Sequence, residues 1–103
     1  MQVSQNYNNR LAFVGFYKVQ GSNKNIKNLK NSFINKDNDF LTLSVKKDNK
    51  ERVLYLFSGE DINTFLDLTK KVIFFDFRHN IEKYMPKIPE KISIKEAKTL
   101  LNK

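Results

Sequence analysis

Apolar and polar positions alternate with two different periods along this chain. From Arg10 to Gln20 the apolar residues occupy both sides of an extended pattern. Phe13, Tyr17 and Val19 lie on one side, and Ala12, Val14 and Phe16 on the other. This predicts a strand covered on both faces. Gly21 and Ser22 interrupt it. Over Asn23–Asn35, Ile26, Leu29 and Phe33 recur at spacings of three and four, which predicts a helix with one buried face. Lys36 to Asn38 reads as a turn. Leu41, Leu43 and Val45 then alternate with Thr42, Ser44 and Lys46, predicting a strand over Asp39–Lys47. Asp48, Asn49 and Lys50 supply turn chemistry, and Glu51–Phe57, rich in Val, Leu, Tyr and Phe, completes a hairpin.

Ser58 is placed to cap a second helix, with Glu60 and Asp61 suited to the positive end of its dipole. Ile62, Phe65, Leu66 and Thr69 form its apolar face, and Lys70 and Lys71 suit its C-terminus. Val72–Phe77 is rich in β-formers and predicts a strand. Pro86 and Pro89 mark a non-helical connection. Ser93 and Glu96 have the spacing of a capping box ahead of Ile94, Ala97, Leu100 and Leu101, a short amphipathic helix.

The predicted class is α+β: a four-stranded antiparallel sheet in the ferredoxin-like order β-α-β-β-α-β, with an added C-terminal helix. Two helices are expected on one sheet face and the C-terminal helix on the other. The alternative is an antiparallel sheet of different strand order with helices on one face. Residues 1–9 read as a flexible tail and residues 10–103 as one domain, which suits a chain of 103 residues.

Composition narrows the function. The chain has no cysteine, so disulfides, thiolate catalysis and Cys-based zinc sites are excluded. No apolar run reaches the roughly 20 residues of a membrane helix. The polar stretch Met1–Asn9 lacks a signal-peptide hydrophobic region, so a cytoplasmic location is expected. No glycine-rich phosphate loop, metal-ligand spacing or nucleophile–base pattern is present; no metal or cofactor is expected, and the protein reads as a non-enzyme. The single imidazole, His79, stands three residues before Glu82; one His beside acids is a common surface arrangement.

The net charge of +8 favours a polyanionic partner. It is unevenly spread: residues 1–36 carry +6, residues 37–69 carry −3, and residues 70–103 carry +5. Sixteen of the nineteen basic residues are Lys, a bias that an AT-rich coding sequence also produces. Lys24, Lys27 and Lys30 form a stripe on the first helix. Against phosphates they would release counterions, while the alternative is a solvated helix face. Arg10 and Lys18 belong to the same basic region, and the hairpin carries Lys46, Lys47, Lys50 and Arg52 beside Asp48 and Glu51. The expected nucleic-acid-binding residues are therefore Arg10, Lys18, Lys24, Lys27, Lys30, Lys46, Lys47 and Arg52.

Ala12-Phe13-Val14-Gly15 is similar to the first-strand pattern of RNA-recognition domains, which implies bases stacked on sheet aromatics. The third strand departs from that pattern. Arg52 and Leu54 fall where the stacking aromatics belong, and Glu51 follows Lys50 where the pattern has Gly. Phe13, Tyr17, Tyr55 and Phe57 are accordingly expected in the core. The leading expectation is a small basic protein contacting DNA or RNA phosphates through a Lys-rich helix face. The alternative is a protein-interaction module with an acidic target, such as the inhibitors and adaptors of phages and mobile elements. No membrane association is expected. An edge strand could pair with a second copy to give a homodimer.

Overall fold

The computed structural model describes residues 15–72 and 74–101. The predicted tail over residues 1–9, the site residue Arg10 and the strand positions 10–14 lie outside the described residues. The elements are β1 (Phe16–Gln20), α1 (Asn23–Asn35), β2 (Leu41–Lys47), β3 (Lys50–Phe57), α2 (Glu60–Thr69), α3 (Phe74–His79), α4 (Ile81–Tyr84), β4 (Glu90–Ile92) and α5 (Ile94–Leu100). Among the described residues no helix is long and apolar enough to cross a membrane.

The four strands form one sheet in the order β2-β3-β1-β4. Strand β3 is antiparallel to both β2 and β1, with Leu54 opposite Ser44 and Val19. Strand β4 runs parallel to β1, Val19 opposite Ile92. The sheet is thus mixed rather than purely antiparallel, and the ferredoxin-like order is not confirmed. The connection from β3 to β4 holds three helices, α2, α3 and α4, in place of the single crossover helix expected. Nothing therefore obliges β4 to return parallel to β3, and it enters along β1.

The predicted strand over Val72–Phe77 is replaced by α3. Here β-propensity yields to a longer pattern: Phe77, Ile81 and Met85 are buried at four-residue spacing, the helical period. Asn80 interrupts this run and accepts the break by donating its side-chain amide to the Asp76 carbonyl at 3.0 Å. Strand β4 was hidden for the opposite reason. It has only three residues and follows directly on Pro89.

Helix starts depend on local polar chemistry. The Ser22 hydroxyl accepts from the amide of Asn25, capping α1. Ser93 and Glu96 form the predicted capping box at α5. Ser58 does not cap α2 with its side chain. Gly59 takes the N-cap position at φ 56°, a left-handed conformation open to glycine, and Ser58 offers only its carbonyl to the amide of Asp61. On α2, Phe65 is buried but Leu66 is exposed, which narrows the predicted apolar face.

Both faces of the sheet are covered. Tyr17, Val19, Leu54 and Leu56 pack with Ile26, Leu29 and Phe33 of α1 and with Ala97 and Leu101 at the C-terminal end. Phe16, Leu43, Tyr55 and Phe57 pack with Phe65, Phe77, Ile81 and Met85. The C-terminal helix therefore shares a face with α1, and α2–α4 take the other, which corrects the expected partition. It follows the parity of the strands, whose alternate residues must each find an apolar layer.

Phe57 is fully buried, with ring centroids 5.0 Å from Phe16 and 4.6 Å from Phe65. Phe57→Ala should cost about 4 kcal/mol, most of the stability of a small domain. The urea midpoint should fall with an unchanged slope; a loss below about 1 kcal/mol would show that this aromatic layer does not carry the fold.

Candidate functional site

The sheet has two chemically different ends. At one end β1 finishes, β2 turns into β3 and α1 begins. Three contacts hold these parts together. The Gly21 amide donates to the Arg52 carbonyl at 3.1 Å. The Glu51 amide donates to Asn23 Oδ1 at 2.8 Å. Lys30 reaches from α1 to Glu51 and Ser44. This end therefore combines two groups that are separate in the sequence: Lys24 and Lys27 on α1, and Lys46, Lys47, Lys50 and Arg52 on the hairpin. All six side chains are on exposed residues.

The local charge is strongly positive. Glu51 is buried and neutralised by Lys30, leaving Asp48 as the exposed acid of the hairpin. Lys47 and Lys50 stand directly opposite each other in the ladder, an unfavourable like-charge pair. The opposite end, where β3 meets α2, carries Glu60 and the buried Asp61, the latter paired with Lys87 at 2.9 Å. A groove of about 370 Å³ at the far end of α1 is lined by Phe33, Ile34, Lys36, Asp37 and Phe40 among others, and it mixes charges of both signs.

Two of the expected nucleic-acid contacts have internal partners. Lys18 lies on the sheet face covered by α2–α4, and its ammonium meets Glu82 at 2.6 Å. Tyr55 donates its hydroxyl to the same carboxylate oxygen at 2.6 Å. These two donors, Lys18 first, hold the Glu82 carboxyl below the usual carboxylate range. Burial, reinforced by Glu82, pushes the Tyr55 hydroxyl well above its ordinary value. Glu82, the carboxylate near His79 in sequence, is thus already engaged.

Lys30 is the second. It donates to Glu51 Oε1, and to Ser44 Oγ at 3.1 Å, while Ser44 donates to Glu51 at 2.6 Å. The Lys30 hydrogen bond, followed by that of Ser44, lowers the Glu51 pKa against the opposing effect of burial. The stripe on α1 divides accordingly: Lys24 and Lys27 remain outside, and Lys30 fixes the helix to the sheet.

Sequence reading missed one neighbour of this end. A Cβ on Gly21 would stand 2.7 Å from Ile94 Cδ1, so the first turn of α5, with exposed Lys95, lies beside the start of α1. The signal for it was β4, which brings Ser93 level with the end of β1. Among the described residues no three His, Asp or Glu side chains gather as a metal site. Comparison with family models, curated proteins and solved structures finds no match to the chain.

Because its folded-state pKa is lowered, Glu51 stabilises the fold above the pKa of an unfolded Glu, and this contribution is lost as pH falls through the lower folded value. Glu51→Gln should therefore cost about 2 kcal/mol near neutrality, the worth of hydrogen bonds to a charged group. The gap to the unsubstituted protein should begin to narrow as pH falls past about 4.3, the ordinary Glu value, and close once pH lies beneath the lowered folded value. Urea melts across this range test it, and a gap that is constant with pH would contradict the assignment.

Proposed function

We propose that this protein binds nucleic acid through the phosphates, using the basic end formed by α1 and the β2–β3 hairpin. The observation that carries this reading is the convergence of Lys24, Lys27, Lys46, Lys47, Lys50 and Arg52 on one end, joined by the Asn23–Glu51 and Gly21–Arg52 contacts. A compositional excess of lysine gives no reason for such gathering, nor for setting Lys47 against Lys50. An anion between them relieves that repulsion. Phosphate contacts position a protein without reading sequence, so weak discrimination among sequences accompanies this mode.

If all six cations meet phosphates, affinity should fall about a thousandfold between 50 and 200 mM salt. Lys24→Glu should weaken binding and flatten this dependence, whereas Lys98→Glu, an equal charge change towards the other end of α1, should leave both nearly intact. Lys30 is left alone in the test because its loss would strip Glu51 of its partner. Fluorescence anisotropy with a labelled oligonucleotide measures each quantity. Absence of binding at 50 mM salt, or equal effects of the two substitutions, would refute the proposal; a stoichiometric acidic protein that co-purifies after nuclease treatment would replace it with the interaction-module reading.

A further inference from the structure

We infer that the ligand of the basic end is a B-form DNA duplex, entered at its major groove by the β2–β3 hairpin; this rests on the nucleic-acid reading above. Two independent features point to it.

The first is that the usual apparatus for single strands is closed. Single-strand binding relies on aromatic side chains that stack on bases along an open surface, worth about 1–3 kcal/mol per base. Here both faces of the sheet lie under helices, and Phe16, Tyr17, Tyr55 and Phe57 are buried between the layers. Among the residues whose side chains are described, the large apolar ones that are exposed are Ile34, Leu66 and Ile88, none of them aromatic. Among the side chains described, a single strand finds cations but no exposed aromatic platform.

The second is the shape and charge of the hairpin. The ladder between β1 and β3 ends at the Gln20–Val53 pair, while the ladder between β2 and β3 continues to Lys47–Lys50. Past that point the ribbon adds two pairs, Lys46–Glu51 and Lys47–Lys50, with Arg52 the extra residue of a bulge between them and Val53, an advance of about 7 Å at roughly 3.3 Å per pair. Gly21 and Asn23 brace its β3 edge as far as Glu51, and the Lys47–Lys50 pair and the turn stand beyond. The turn itself is two residues, Asp48 and Asn49, both left-handed at φ 55° and 63°, which keeps the apex narrow. A two-stranded ribbon fits a B-DNA major groove about 12 Å wide and 8.5 Å deep.

The distribution of charge matches the same groove. Lys46, opposite Glu51, lies on the ribbon face towards α1, and the Lys47–Lys50 pair lies on the other face. Cations on both flanks meet a groove with a phosphate wall on either side. The apex carries Asp48 and Asn49 instead of cations. An acid there is repelled by a flat phosphate surface, but over a groove floor it faces base edges, some of which are hydrogen-bond donors. Lys24 and Lys27, beside the ribbon, then reach the backbone outside the groove.

The test compares three ligands of one length on the unsubstituted protein at about 50 mM salt: duplex DNA, its isolated strands and the matching RNA duplex. The A-form RNA major groove is too deep and narrow for the ribbon. Duplex DNA should bind at least about tenfold more tightly than either of the others. Single strands binding equally well would overturn the duplex assignment, and an RNA duplex binding equally well would overturn groove entry; in both cases the basic end survives as the binding site. If none of the three binds, both this inference and the reading beneath it fail.

Discussion

The two central strands must be covered on both faces. In β1, Phe16 points to one layer and Tyr17 and Val19 to the other; in β3, Leu54 and Leu56 oppose Tyr55 and Phe57. No single layer of helices can bury this arrangement, since alternate residues leave the sheet in opposite directions. The chain meets the demand with α1 and α5 on one face and α2–α4 on the other. Most other features follow from it. The long connection α2–α4 supplies the second layer and delivers the chain to β4 alongside β1. Arg78, at the end of α3, ties this layer to the sheet margin by donating to the Ser44 carbonyl at 3.2 and 2.9 Å.

Much of the framework could be read from residue patterns. Helix α1 has the predicted limits, Asn23–Asn35, because its apolar spacing, its Ser22 cap and the flanking turn agree. The β2–β3 hairpin was equally plain, and the Ser93–Glu96 box marks its helix start. Where local signals conflicted, reading failed. Val72–Phe77 looks like a strand in isolation, yet the decisive pattern runs on to Met85, across Asn80. The layer chosen by α5 was not legible either, since its short apolar face fits any apolar surface. The sheet aromatics Tyr17, Tyr55 and Phe57 were expected in the core and are buried there.

The candidate site was legible only in parts. Lysines 24 and 27 and the hairpin cations were visible as separate groups, and their meeting required the register of β1 with β3. The engagement of Lys18 and Lys30 could not be seen, because it depends on carboxylates 64 and 21 residues away in the chain. Nothing in the pattern around Lys30 distinguishes it from Lys27; only the position of Glu51 under one and not the other does so. The strong basicity of the first 36 residues thus overstates what reaches the surface.

The Lys30–Glu51–Ser44 contact has a metrical consequence. It joins α1 to both strands of the hairpin directly beneath the exposed cations. The two sets of positive charge are consequently held at one separation, like the jaws of a caliper, rather than carried on independent arms. For the polyanion binding proposed above, such an arrangement would favour the spacing of negative charges over their number. A dense but irregular polyanion would satisfy one jaw at a time, and a lattice of matching interval would satisfy both.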